Sequence, residues 1–292
     1  MAEQGSLSGK RILLTGATNG IGLAAARELA RRGAELALVA RDEAKGRSVV
    51  AEIARGQGVE KEPELLVADL ASQAQVRALA GEALARYARI DVLVNNAGAM
   101  FGERRMSEDG VEMTWALNHL APFLLTTILL DRLRESAPAR VITTASDAHK
   151  GAKIPFGDIG AERSYARAGF SRYGETKLAN ILFTAELARR TEGTGVTAYC
   201  FHPGLVASGF NRNNGALMNV LMMAARPISR TPERGARTLV WLAGADEVGG
   251  ERGGYYVNER RATPSRAAQD TDAAGRLWEL SEAQTGALAA SG

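Results

Sequence analysis

Short apolar runs alternate with longer runs of helical spacing along almost the whole chain, and this rhythm restricts the fold more than any other feature. Strands are predicted at RILLT (11–15), ELALVA (35–40), ELLVA (64–68), IDVLVN (90–95), RVITTA (140–145), VTAYCF (196–201) and GYYV (254–257). Most show little polar alternation, as strands covered on both faces do. Helices are predicted near 20–32, 42–56, 72–88, 109–134, 173–191, 231–244 and 272–284. Right-handed crossovers then stack helices on both faces of one sheet. The expected fold is α/β: a single doubly wound Rossmann domain over 1–292, its seven-stranded, mostly parallel sheet opening a ligand crevice at the carboxyl ends of the strands. Two stretches break the rhythm, 147–172 and 205–230. Long loops in a compact domain are commonly functional, and 205–230 is read as a substrate lid.

Bulk properties exclude more than they assign. With 36 basic and 33 acidic residues the net charge is only +3, which makes no case for nucleic acid. Cys200 is the single cysteine, so no intramolecular disulfide can form, which fits a reducing compartment. Three histidines and one cysteine give no metal-ligand cluster. The start has no secretory pattern, and the apolar stretches FLLTTILL and ALMNVLMMAA fall short of the ~20 residues of a membrane span. A cytoplasmic protein with no integral span is expected.

The first strand runs into TGATNGIG, Thr15 to Gly22. Gly16, Gly20 and Gly22 permit a tight turn, a close backbone approach to a pyrophosphate and close helix packing, with Thr18, Asn19 and Ile21 completing the cradle at a helix N-terminus. A plain βα turn could use the same residues. The spacing departs from G-x-G-x-x-G. After the second strand, where NAD-binding proteins usually carry an acid, stand Ala40 and Arg41. A guanidinium there suits a 2′-phosphate and favours NADP(H), though an ordinary solvated charge would look the same. Asp69 and Leu70 follow the third strand, with Ser72 competing as helix cap. NNAG, with Asn95, Ala97 and Gly98, closes the fourth strand where a cofactor would lie, or forms a simple turn.

YGETK places Tyr173 and Lys177 at i and i+4, neighbours on one helix face. Lowering a phenol from ~10 to ~7 requires about 4 kcal/mol, which one cation at ~4 Å supplies at an effective dielectric of ~20. A snorkelling lysine over a tyrosine would give the same pattern, so its company matters. Ser146 lies just past the fifth strand on the ligand-facing edge. LNHLAPFLL puts Asn118 and His119 inside an apolar helix with Pro122 one turn on. Proline cannot donate to the carbonyl of Asn118, a defect costing a helix interior ~3 kcal/mol.

The ordered set TG-x-x-x-G-I-G, D-L, N-N-A-G, mid-helix Asn, Ser, Y-x-x-x-K and P-G resembles the short-chain dehydrogenase/reductase family over nearly the whole chain. The resemblance implies that Asn118, Ser146, Tyr173 and Lys177 are a catalytic tetrad, that Asp69 approaches the adenine and that Asn95 lies near the cofactor. It further implies that Pro203, Gly204, Val206 and Ser208 in HPGLVAS contact the cofactor, and that a water on the Asn118 carbonyl links Lys177 to solvent. VARD, YGETKLANILFTAELARR, HPGLVAS, the tail PSRAAQDTDAAGRLWELSEAQTG and the 27-residue interval from Ser146 to Tyr173 are similar to the retinol dehydrogenase and hydroxysteroid dehydrogenase branch, which favours NADP(H). The usual Ser-Ser pair is here Ala145-Ser146.

The expected reaction is hydride transfer between NADP(H) and the carbinol or carbonyl carbon of a bulky hydrophobic substrate, with Tyr173 as general acid or base. Met218, Met222 and Met223 suit an adaptable apolar lid, or a helix packed on the core. Steroids, retinoids and aromatic polyketide ketones all fit, the last making the protein a ketoreductase of natural products. A non-catalytic nucleotide sensor would not need the tetrad. A homodimer or homotetramer built on the helices at 109–134 and 173–191 is implied by the resemblance alone. His202 and Cys200 read as packed residues, and His149 has no assigned role.

Overall fold

The computed structural model describes residues 7–206, 229–248 and 253–287. Its sheet has the strand order β3-β2-β1-β4-β5-β6-β7-β8. The strands are β1 Arg11–Thr15, β2 Glu35–Ala40, β3 Glu64–Val67, β4 Val92–Asn95, β5 Ala139–Thr144, β6 Val196–His202, β7 Gly254–Val257 and β8 Arg260–Ala262. All pairings are parallel except β7 with β8. The reversal of strand order between β1 and β4 opens the crevice above their carboxyl ends. The seven-strand expectation missed β8, a three-residue strand, Arg-Arg-Ala, that carries no apolar signal.

The helices are α1 Gly20–Arg31, α2 Glu43–Ala54, α3 Gln73–Arg86, α4 Met113–Glu135, α5 Phe170–Arg190, α6 Pro232–Gly244 and α7 Thr271–Thr285. Their starts follow from caps. Asp42 accepts from Lys45 N at 3.0 Å, Ser72 from Gln75 N at 3.3 Å and Thr231 from Arg234 N at 3.3 Å. Ser72, rather than Asp69, therefore caps α3.

Strand alternation divides the core into two layers. Ile12, Leu14, Val92 and Val94 pack with Leu29, Val49 and Leu239 of α1, α2 and α6. Leu13 and Leu93 face the other way, against Leu79, Phe123, Leu129, Phe183 and Trp278 of α3, α4, α5 and α7. Each fully buried Leu or Phe contributes about 1.5–3 kcal/mol. Helix α4 is, by length and hydropathy, able to cross a membrane, which qualifies the expectation drawn from shorter stretches; 72% of its apolar window is buried inside the fold. Residues 118–126 of α4 and 176–184 of α5 are buried without interruption. Such runs cover every face of a helix, and α7 supplies the cover, with Trp278 packed on Phe123 and Phe183 and under Arg190.

Candidate active site

Four loops meet where β1, β4 and β5 end. Thr15 at the tip of β1 donates to Val94 O at 3.1 Å and accepts from Asn96 N at 3.0 Å and Ala97 N at 3.1 Å. Asn96 returns the tie, donating to Thr15 O at 3.2 Å and Gly16 O at 3.3 Å and accepting from Thr144 Oγ1 at 3.2 Å. The approach is so close that a Cβ on Gly16 would stand 2.8 Å from Ala97 Cα, and one on Gly22 2.1 Å from Gly16 O. Gly16 also has φ +70, a conformation other residues rarely adopt. Asn95, expected near the cofactor, is buried and donates to Thr126 Oγ1 at 3.0 Å, bracing β4 against α4. Its neighbour Asn96 is the one that shapes the loop surface, and the doubled Asn in NNAG was the available signal.

The residues present fit a dinucleotide. Asn19 occupies the cap position of α1 but makes no side-chain cap bond, so the first-turn N–H groups at Gly20, Ile21 and Gly22 keep their capacity for an anion. Thr18 is half-buried in the same turn. Arg41 is exposed at the end of β2, beside the cap of α2. Asp69 accepts from Ala71 N at 3.0 Å, while Leu70 is buried beneath it. On the far side Pro203 and Gly204 follow β6. A Cβ on Gly235 would touch both Val206 Cγ2 (2.7 Å) and Ile21 Cγ1 (3.2 Å), which shows these two expected contacts converging on the start of α6. Arg230 N donates to Leu205 O at 2.7 Å and its guanidinium lies against Gly204. Ser208, and most of the expected lid at 205–230 with Met218, Met222 and Met223, lie outside the described residues.

The tetrad surrounds the same crevice. Ser146 and Tyr173 are joined by a side-chain hydrogen bond. Lys177 Nζ lies 5.4 Å from the Tyr173 ring centroid and donates to Thr144 O at 3.0 Å. Asn118 clamps the loop after β4, accepting from Ala99 N at 2.9 Å and donating to Ala99 O at 2.9 Å and Thr176 Oγ1 at 3.1 Å. A Cβ on Gly98 would meet Asn118 Oδ1 at 3.1 Å and Lys177 Nζ at 3.5 Å, so that glycine keeps room at the junction. Ser146 also serves as a cap, accepting from Ala148 N at 3.2 Å.

Burial dominates the electrostatics. It pushes the Tyr173 phenol up to about 12, against the pull of the Ser146 hydrogen bond, and the Lys177 ammonium down to about 8. Desolvation, and not the lowering expected from Lys177, thus sets the direction of the Tyr173 shift. Between about pH 8 and 10.5 the unfolded chain holds a proton on this lysine that the folded chain has released. Stability contributed by this site therefore rises with pH across that window. Lys177→Met is expected to remove that rise in urea melts compared with the parent; an unchanged pH slope would refute it.

Pro122 is less costly than its sequence position suggests. A π-helical segment, Ala116–Leu120, precedes it, in which Ala121 N–H bonds Ala116 O five residues back. The proline then falls in the first turn of the regular stretch Ala121–Glu135, where proline is well tolerated. Such single-turn π insertions are frequent at functional sites.

Sequence reasoning missed a buried ion pair beside Tyr173. Arg172 Nε donates to Glu112 Oε2 at 2.6 Å, and both side chains are at most 1% exposed. Glu112 also accepts from Thr114 N, Thr114 Oγ1 and Trp115 N, each at 2.9 Å, and so caps α4. Arg172 reaches Glu175 at 3.0 Å and Ile159 O, and stacks 4.7 Å from the Trp115 ring. The pair thereby joins the starts of the helices carrying Asn118 and Tyr173. His149, unassigned from sequence, is buried and connects Ser146 O at 2.6 Å to Ser265 N at 3.1 Å. His202 accepts from Asp147 N at 3.2 Å. Among the described residues no His, Cys, Asp and Glu group could hold a metal.

Residues 10–218 match the model of the family described as short chain dehydrogenase. Retinol dehydrogenase 12 of Mus musculus is 42% identical, over 94% of this chain and 86% of that protein. The protein named "Putative daunorubicin C-13 ketoreductase DnrU", from Streptomyces sp. (strain C5), is 41% identical over 97% of this chain and 94% of its own. The Pseudomonas aeruginosa RhlG/NADP active-site complex superposes with TM-score 0.69 at 28% identity, covering 87% of this chain and 96% of that one. With that matching span and those relatives beside a Ser146–Tyr173–Lys177 site at the end of β5, the chain belongs to the short-chain dehydrogenase family, in its retinol dehydrogenase branch, as an alcohol dehydrogenase or ketoreductase.

Proposed function

We propose that the protein catalyses hydride transfer between NADP(H) and the carbinol or carbonyl carbon of a bulky hydrophobic alcohol or ketone. The observation that carries this reading is the hydrogen-bonded Ser146–Tyr173 pair with the Lys177 ammonium set against the Tyr173 ring. When bound, the nicotinamide cofactor supplies or accepts the hydride and, oxidised, adds a positive charge beside the phenol. In reduction Tyr173 donates its proton to the forming alkoxide, and in oxidation it takes the hydroxyl proton, while Ser146 orients the same oxygen. A phenol held at about 12 is fully protonated at neutral pH, ready to act as the acid of ketone reduction. As a base near pH 7 it needs about 7 kcal/mol. One ammonium at ~4 Å would supply about 4 at an effective dielectric of ~20, so a single cation does not suffice.

Proton exit is assigned to the Asn118 carbonyl. Pro122 has no N–H to fill it, so a water there would link it to Lys177 and to solvent. A high-resolution structure with that carbonyl bonded to another backbone N–H and no water beside it would overturn the relay.

The retinol dehydrogenase relatives support a retinoid and the relative named for daunorubicin C-13 supports an aromatic polyketide ketone, while a steroid rests on the sequence resemblance alone. Incubation with NADPH and a panel of such ketones, followed by loss of reduced-nicotinamide absorbance, tests the reaction; no turnover on any member would reject it. Arg41 supports NADP(H) over NAD(H). A charge-assisted hydrogen bond to the 2′-phosphate is worth about 1.5–3 kcal/mol, so Arg41→Ala is expected to reduce the NADP/NAD preference in kcat/KM by roughly 10- to 100-fold. A preference that did not move would reject the assignment.

A further inference from the structure

We propose that His149 and His202 are positioning residues that hold the two polar ends of one peptide group, Ser146–Asp147, and thereby fix Ser146 in the site; this rests on the catalytic reading above. Just past β5, Ala145 N still donates to Phe201 O of β6 at 2.8 Å. From Ser146 the chain leaves the sheet for the short 3-10 turn Asp147–His149, so the C=O and N–H of the Ser146–Asp147 peptide need other partners. Imidazoles meet both. Ser146 O lies 2.6 Å from His149 Nδ1, besides accepting from His149 N at 3.1 Å, and Asp147 N donates to His202 Nδ1 at 3.2 Å. Two of the chain's three histidines thus close on a single peptide plane.

The surroundings assign each ring its proton. Ser265 N donates to His149 Nε2 at 3.1 Å, so the neutral ring carries its proton on Nδ1 and donates it to Ser146 O. His202 Nδ1 accepts, so its proton sits on Nε2, 3.7 Å from Asp147 Oδ2. The His149 ring is fully buried and stands edge-on, 5.3 Å from the ring of Tyr255, whose hydroxyl donates to Asp147 Oδ1 at 3.0 Å. Lys150 Nζ reaches the same carboxylate oxygen at 3.0 Å. An apolar side chain would fill the His149 site without the cost of desolvating an imidazole. What the imidazole adds is a donor and an acceptor, joining Ser146 to the chain after β8. The turn bears on the chemistry because Ser146 Oγ accepts from Ala148 N at 3.2 Å, and Ala148 O packs on α5 directly after Tyr173, where a Cβ on Gly174 would stand 2.6 Å from it. Rotation of the turn therefore moves Ser146 Oγ relative to Tyr173. Neither histidine needs to touch substrate.

The test uses the full-length protein with His149→Leu, His149→Asn, His202→Leu and His202→Asn. Asn places an amide group where each ring has Nδ1: its NH2 can donate to Ser146 O, and its carbonyl can accept from Asp147 N. Misplacing a reacting group by ~1 Å costs about 10²-fold. Each Leu variant is therefore expected to lower kcat for the best ketone of the panel roughly 10- to 100-fold, with KM for NADPH and ketone changed less than about threefold. Asn is expected to restore most of that loss at both positions. A second readout uses the parent protein with neither cofactor nor turnover. Nitrogen NMR of the imidazole rings is expected to show an Nδ1–H tautomer that disappears in His149→Asn and an Nε2–H tautomer that disappears in His202→Asn. This readout stands even if a Leu variant does not fold. The reverse tautomers, near-parental kcat in folded Leu variants, or Asn variants as slow as Leu ones would overturn the proposal. Failure of the parent protein to turn over any ketone, with the tautomers as expected, would instead reject the catalytic reading.

Discussion

Replacing Tyr173 by Phe is expected to lower kcat about a thousandfold while leaving fold and cofactor affinity nearly unchanged. The phenyl ring retains the contact with Lys177 5.4 Å from its centroid, so packing is preserved. What is lost is the hydroxyl that bonds Ser146 and exchanges the proton. A positioned acid or base contributes about 10²–10⁴ in rate. Single-turnover oxidation of NADPH with the best ketone of the panel, alongside a thermal melt, separates chemistry from folding. Turnover within tenfold of the parent in a folded variant would show that the proton comes from elsewhere.

The second large effect concerns stability. Glu112→Leu is expected to destabilise the protein by about 3–5 kcal/mol, the typical cost of removing one partner of a buried ion pair. The change strands Arg172 in a site where it is at most 1% exposed and removes the acceptor for two backbone N–H groups at the start of α4. Replacing both partners, Glu112→Leu with Arg172→Leu, removes the uncompensated charge and is expected to recover a substantial part of the loss, because buried pairs gain little over apolar residues of similar volume. Urea denaturation of parent, single and double variants measures this. A single variant within about 1 kcal/mol of the parent would mean that the pair does not hold the two helix starts together.

The outcomes differ in origin. Seven strands were legible because their apolar runs sit within a residue or two of the observed bounds, as in β2 and β7, which match their predicted ranges. Helix starts at Asp42, Ser72 and Thr231 follow from local cap chemistry, which needs only four consecutive residues. Tyr173 and Lys177 were readable because i,i+4 spacing alone puts them on one helix face. β8 was not, since pairing with β7, not its own Arg-Arg-Ala composition, makes it a strand.

The same division runs through the site. By itself the sequence determined the order of elements, the turn glycines, the family to which the chain belongs and the residue types that can move a proton. These depend on nearest neighbours along the chain and on a period of 2.0 or 3.6 residues. Only the tertiary structure decided that Asn96 rather than Asn95 faces the glycine turn, and that the helix passes through a π turn before Pro122. It also decided that Glu112 pairs with Arg172 across 60 residues, and that burial sets the Tyr173 and Lys177 pKa values in opposite directions. Pairing, register and desolvation are set by what surrounds a group in space, and a residue read along the chain has no surroundings until the sheet and α7 have closed around it.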